Sequence, residues 1–269
     1  METPDPNVPP IERLRAIMAK LRAPEGCPWD REQTHESIKP QLIEEAYEVL
    51  EAIDGGRPDD LREELGDLLL HVVFHAQIEA EAGRFTFDDV ATAVADKLVR
   101  RHPHVFGEVR ADTSEEVLRN WDEIKRAEKP ERTGPFDGVP RALPALMRAQ
   151  EVQKKAAKTG FDWPDAAGPL EKVREEAAEL EAEVQRAAGS GLAGHELAEE
   201  LGDLLFAAVN LARHQKLDAE QCLTLAVDKF IRRYGRMTQL LVAEGKDPAS
   251  TPLAEMDAAW DRAKAEERR

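Results

Sequence analysis

The sequence predicts an all-α protein made of two tandem copies of one helical module. Three observations predict it. Apolar residues recur at the spacing of one helix face, while no segment of strand length alternates with a period of two. Charged residues make up 34% of the chain and aromatics only 5%, and the abundance of Ala, Glu, Leu and Arg favours amphipathic helices. Motifs of the first half return in the same order in the second, the signature of an internal duplication.

The elements follow in chain order. Met1 to Pro10 is acidic and Pro-rich, without the basic stretch and apolar run of a signal peptide. Helices are expected near 10–22 and 32–53, the second stopped by Asp54-Gly55-Gly56-Arg57-Pro58. The next, 59–82, carries Leu61, Leu65, Leu68 and Val72 on one face. Helices at 87–101 and 113–128 follow, the first with Lys97, Arg100 and Arg101 on nearly one face. Pro130, Gly134, Pro135, Gly138, Pro140 and Pro144 then break helical continuity and mark a linker. Domains are therefore expected at 1–134 and 135–269. The second half repeats the pattern with helices near 142–157, 169–187, 194–215, 218–243 and 252–266, and Leu197, Leu201, Leu204 and Ala208 form a matching stripe.

The repeat is specific. Glu63-Glu64-Leu65-Gly66-Asp67-Leu68-Leu69 returns as Glu199-Glu200-Leu201-Gly202-Asp203-Leu204-Leu205. Glu44-Glu45-Ala46 with Glu48 returns as Glu175-Glu176-Ala177 with Glu179. Asp96-Lys97 with Arg100-Arg101 returns as Asp228-Lys229 with Arg232-Arg233, and Trp121-Asp122 with Lys125 as Trp260-Asp261 with Lys264.

Bulk properties exclude several functions. A formal net charge of −17 repels nucleic acid polymers and anionic membranes. It leaves room for a small phosphate ligand held by a metal or by local cations. No apolar run reaches membrane-spanning length. Two distant cysteines, Cys27 and Cys222, give no disulfide framework. A cytoplasmic protein is expected.

The carboxylates carry the chemistry. Glu45 and Glu48 are three apart and share a helix face, as do Glu64 and Asp67. Counted from Gly56, Glu48 and Glu64 are each eight residues away, and Glu45 and Asp67 each eleven. Across an antiparallel hairpin, Glu48 should face Glu64 and Glu45 should face Asp67. In the second copy, Glu179 pairs with Glu200 and Glu176 with Asp203 about the Gly189–Ser190 bond. These acids sit on or beside the apolar stripe. Four carboxylates converging at the edge of a core repel one another unless a cation intervenes. Oxygen donors without His or Cys select a hard divalent ion, Mg²⁺ or Mn²⁺. Glu44, Glu51, Glu63, Glu171 and Glu183 read as solvated helix faces instead. His71 and His75 read as packed or half-exposed, and Trp29 as a packing residue; Glu32-x-x-His35, half of a di-iron motif, has no repeat. Lys172, Lys229, Arg232 and Arg233 suit either a polyphosphate or ordinary helix ion pairs, such as Asp228 with Arg232.

Taken together, the EExxE and ExxD motifs resemble the MazG family of nucleotide pyrophosphohydrolases. Glu175-Glu176-x-x-Glu179 followed by Glu200-x-x-Asp203 carries the resemblance, with the earlier copy at Glu44-Glu45-x-x-Glu48 and Glu64-x-x-Asp67. It implies tandem MazG-like helical bundles that homodimerise, with sites completed between chains. It also implies Mg²⁺-dependent cleavage of an NTP or dNTP between the α- and β-phosphates, giving a monophosphate and pyrophosphate. The resemblance assigns the metal to Glu176, Glu179, Glu200 and Asp203, and nucleotide contacts to Lys172, Glu199, Lys229, Arg232, Arg233 and Trp260. In tandem members the second copy often carries the activity. Here the first keeps Glu45, Glu48, Glu64 and Asp67, so it remains a candidate metal site. Glu196, one turn before Glu200, departs from the Lys that many members carry and touches the phosphate contact or substrate preference. Glu175 or Glu199 would take the proton of the attacking water. The alternatives are a non-catalytic helical dimerisation or partner-binding protein, a Nudix hydrolase, which needs strands, and a ferritin-like di-iron protein.

Overall fold

A computed structural model describes residues 7–128, 134–190 and 194–267. Among them all regular structure is helical. The helices are α1 (Pro10–Arg22), α2 (Pro28–Glu32), α3 (Lys39–Gly55), α4 (Pro58–Glu81), α5 (Phe87–Arg101), α6 (Pro103–Phe106), α7 (Ser114–Ala127), α8 (Ala145–Ala157), α9 (Ala167–Ser190), α10 (His195–His214), α11 (Ala219–Ala243) and α12 (Leu253–Glu267). The chain divides into two compact units, Met1–Glu128 and Lys129–Arg269.

In the first unit α3 and α4 form the hairpin that carries the acids, and α1 packs on α4. The turn is made by Gly56 at φ 65°, a left-handed conformation that costs other residues a steric penalty, with its N–H on the Ile53 carbonyl. Met18, Ile38, Val73 and Phe74 form a buried cluster beneath the hairpin, flanked by Leu14, Leu70 and Ile78. Thr86 and Asp89 close a capping box on α5.

In the second unit α9 and α10 are the corresponding hairpin, with α8 against α10 and α12 against α11. Met237, Leu241 and Ala259 are buried between α11 and α12, flanked by Met256 and Trp260. Gln150 of α8 fastens the start of α11: its Nε2 donates to the Leu217 carbonyl at 3.0 Å, and its Oε1 accepts from the Ala219 N–H at 2.9 Å. Both halves of that buried amide are thereby satisfied.

Three sequence expectations need correction. The helix expected over 32–53 starts at Lys39. Ser37 Oγ accepts from the Thr34 N–H at 2.9 Å and Pro40 occupies the first turn, so residues 33–38 make a turn instead. The short helices α2 and α6, each opened by a proline, lack the length for a periodic signal. Trp29, expected to pack, is 57% exposed. In addition, α9 runs to Ser190, past the pivot placed at the Gly189–Ser190 bond. Residues 191–193, between α9 and α10, and Lys129 to Thr133 of the linker lie outside the described residues.

Candidate metal centre and adjoining cavity

The hairpin geometry gathers the acids of each unit. One carboxylate oxygen each from Glu176, Glu200 and Asp203 lies within 4.8 Å of the others. So does one each from Glu45, Glu48 and Glu64. The fourth acid of each set is also felt. Burial raises the Glu200 carboxyl above its ordinary range, and the charges of Glu179, Glu176 and Asp203 raise it further. Burial likewise raises Glu45, followed by the charges of Glu48, Asp67 and Glu64. Glu64 is raised by burial and then by Glu48. This is the electrostatic signature of carboxylates crowded together at the edge of a core. The donor set holds neither His nor Cys, and it fits a hard divalent cation.

The two sets differ in their surroundings. Glu176 is only 4% exposed. Lys172, one turn earlier on α9, reaches it at 2.6 Å and Glu175 at 3.0 Å. Those carboxylates raise the Lys172 pKa, Glu176 foremost. The first set has Gln41 at the equivalent position, four residues before Glu45, and so lacks this cation.

Beside Glu176, Asp203 and Lys172 opens a cavity of about 330 Å³. Phe136, Phe161 and Trp163 give it aromatic walls, and Gln153 of α8 and Asn210 and Arg213 of α10 line it as polar groups. The loop bearing Phe161 and Trp163 is anchored by Asp162. This residue accepts from Arg213 Nη1 at 3.0 Å and Nη2 at 2.5 Å and lies 2.9 Å from His214 Nε2. Trp163 lies so close to Gly168 that a Cβ there would sit 2.0 Å from the indole, so glycine is required. Hydrogen bonding from Arg213 holds the Asp162 carboxyl at about 2, below its ordinary 3.8. A depressed acid contributes stability above its unfolded pKa and loses it as pH falls through the folded value. Wild type should therefore lose part of its urea midpoint between about pH 4 and about pH 2. Asp162→Asn should be weaker at neutral pH and lack that component. Superimposable pH profiles for the two proteins would exclude this anchor.

The remaining sequence candidates are placed as follows. Glu175 is exposed and bound to Lys172. Glu199 is exposed and lies 3.2 Å from His195. Glu196 is exposed, its carboxylate over Gly194. Arg232 and Arg233 both pair with Glu267 of α12, at 3.2 and 2.5 Å. Trp260 packs against Phe230 with ring centroids 5.3 Å apart. Neither these residues nor Lys229 line the cavity. Glu183, read as a solvated acid, is instead half-buried, paired with Arg186, and adds to the charge raising Glu200. His71 is buried and His75 stacks on His35 at 5.0 Å, so these rings pack against one another. His35 bonds Glu79 rather than Glu32.

A profile described as the MazG nucleotide pyrophosphohydrolase domain matches twice, over residues 33–106 and 169–238. The chain belongs to the MazG family. It is 47% identical over 260 residues to the nucleoside triphosphate pyrophosphohydrolase of Escherichia coli K12, covering 96% of this chain and 98% of that protein. It is 46% identical over 256 residues to the nucleoside triphosphate pyrophosphohydrolase/pyrophosphatase MazG of Thermotoga maritima, covering 94% and 95%. An uncharacterized Bacillus subtilis protein, YabN, is 46% identical over 257 residues, covering 95% of this chain and 52% of that one.

Both MazG repeats thus keep their acids, yet they differ at a position that lines the cavity of the second. Asn210 stands ten residues after Glu200, where the first repeat has Phe74, ten after Glu64. Phe74 is 5% exposed and packed against Met18, Ile38 and Val73. Gln153, Asn210, Phe161 and Trp163 were missed from sequence because three of the four precede the duplicated carboxylate motifs and none carries a charge. One signal was present: Trp163 follows Gly160 by three residues, as Trp29 follows Gly26.

Proposed function

We propose that the second carboxylate set is a nucleoside triphosphate pyrophosphohydrolase centre, cleaving NTPs or dNTPs between the α- and β-phosphates with Mg²⁺. The convergence of Glu176, Glu200 and Asp203 within 4.8 Å, next to Lys172 and a cavity, carries this reading. Membership of a pyrophosphohydrolase family supports it and disfavours a purely structural helical partner protein. Among the described residues there is no strand, which leaves no basis for a Nudix fold.

Glu176, Glu179, Glu200 and Asp203 would hold the ion, with Mn²⁺ an acceptable substitute. Such an ion would supply charge compensation for the phosphate oxygens and activation of the attacking water. Lys172 supplies a point charge for the polyphosphate. Glu175 or Glu199 accepts the water's proton. Lys229, Arg232, Arg233 and Trp260 do not line the cavity beside Glu176, so we assign them to the site of the other chain in a homodimer. Exposed Leu205, Leu223, Val227, Phe230 and Ile231 on α10 and α11 give the apolar surface that such pairing would cover. The two free cysteines, Cys27 and Cys222, fit a reducing cytoplasm, and among the described residues no helix is long and apolar enough to cross a membrane.

Phosphorus NMR of a reaction in ¹⁸O-water tests the proposal. It should show pyrophosphate and a monophosphate, dependent on Mg²⁺; release of orthophosphate alone, or no reaction with any NTP, contradicts it. Sedimentation of the same sample should give a dimer, and Ile231→Asp a monomer; a monomeric wild type would sink the shared-site assignment.

A further inference from the structure

The cavity beside Glu176 holds a polar atom that the fold leaves without a partner. Gln153 is 6% exposed. Its Nε2 donates to the Phe206 carbonyl at 2.8 Å, and since that carbonyl can only accept, the orientation of the amide is fixed. Its Oε1 is then buried with no hydrogen-bond partner. Gln150, one turn away on the same helix, has both halves of its amide engaged. Buried polar atoms are nearly always satisfied, so an orphan lining a cavity points to a donor brought by a ligand.

The neighbouring groups define that ligand. Asn210 uses its oxygen to accept from Arg213 Nε at 2.8 Å, which leaves its NH₂ as the group with hydrogen bonds to give. The cavity thus offers one amide acceptor and one amide donor between aromatic walls. An edge with an N–H beside a lone pair, on a flat ring, is the complement of that pattern. Nucleobases have such edges and stack on aromatic side chains. At about 330 Å³ the space lies at the lower end of small-molecule sites. Lys172 and the carboxylates border it where the phosphates of the same ligand would run. In the first unit the register position of Asn210 is held by Phe74, which belongs to a buried apolar cluster.

We propose that this cavity seats the nucleobase and that Gln153 determines base recognition, its Oε1 accepting from a ring or exocyclic N–H, with Asn210 donating beside it and Trp163 forming a wall. This rests on the second carboxylate set being the hydrolytic centre. Gln153 touches no phosphate and takes no part in bond cleavage.

Calorimetry of the full-length protein with Mg²⁺ tests it, using α,β-methylene analogues of the four common NTPs and, separately, inorganic tripolyphosphate as a base-free probe. Gln153→Leu should weaken at least one analogue tenfold or more and change the ranking of the four, while tripolyphosphate affinity stays within about twofold. Trp163→Leu, on a different element, should weaken all four analogues about tenfold and again spare tripolyphosphate. With hydrolysable NTPs, Gln153→Leu should raise KM more than it lowers kcat, as loss of uniform binding does. Equal losses for analogues and tripolyphosphate in both variants would reduce Gln153 to a structural role and overturn the proposal, as would unchanged analogue binding. Analogue binding sensitive to Gln153 without turnover of any NTP would sink the hydrolytic reading and leave the base pocket standing.

Discussion

Glu176→Gln should lower kcat on the order of 10³-fold while the far-ultraviolet helical signal stays unchanged. The substitution keeps the volume of a side chain that is 4% exposed, so packing survives. What it removes is one negative oxygen donor from a cluster confined within 4.8 Å. A metal contributes several kcal/mol of charge stabilisation to phosphoryl chemistry, and each ~1.4 kcal/mol is a factor of ten in rate. Steady-state release of pyrophosphate measures the effect. The matched variant in the first copy, Glu45→Gln, should leave nucleotide turnover within about threefold of wild type, because that set has Gln41 where the second has Lys172, and a packed Phe74 at the register of Asn210. Equal losses from the two variants would show that both copies turn over.

Lys172→Met should produce two separable losses. Without metal, Lys172 is the cation that reaches Glu176, at 2.6 Å. Removing it leaves a buried carboxylate facing Glu200 and Asp203, and an uncompensated buried charge is destabilising. The thermal midpoint in chelator should fall by about 3–8 °C, a large effect for a unit of this size. Saturating Mg²⁺ should recover most of it, since an ion bound only to the folded state stabilises by mass action. Activity should still fall about 10²–10³-fold with Mg²⁺ present, as expected for losing a preorganised charge at a site where charge develops. Differential scanning fluorimetry with and without Mg²⁺ measures the first loss and initial rates the second. An unchanged midpoint in chelator would show that Glu176 does not depend on Lys172.

The hairpins were legible from the sequence because their information is local. Gly56 marks a turn that only a left-handed residue makes cheaply, and counting from it placed Glu48 and Glu64 at equal heights. The duplication told the same story twice, which is why α4 and α10 appeared with nearly correct ends. The residues before Pro40 were less legible, since side-chain bonds between Thr34 and Ser37 compete with helix and leave no periodic trace. The cavity was least legible of all. Its aromatic wall comes from a loop pinned by Asp162 to Arg213, 51 residues away, and a buried amide such as Gln153 looks like any surface glutamine until its neighbours are known. Glu183 misled for the same reason: helix periodicity gave its face, while its half-burial and its nearness to Glu200 of α10 appear only in the folded hairpin.

Manganese binding followed by electron paramagnetic resonance addresses the metal directly, without reliance on turnover. Wild type and Glu45→Gln/Glu64→Gln should both bind Mn²⁺ at the second unit. Adding Glu176→Gln and Glu200→Gln to that double variant should abolish tight binding while the helical signal persists. Undiminished Mn²⁺ binding by the fourfold variant would contradict the claim that these converging carboxylates are where the ion sits.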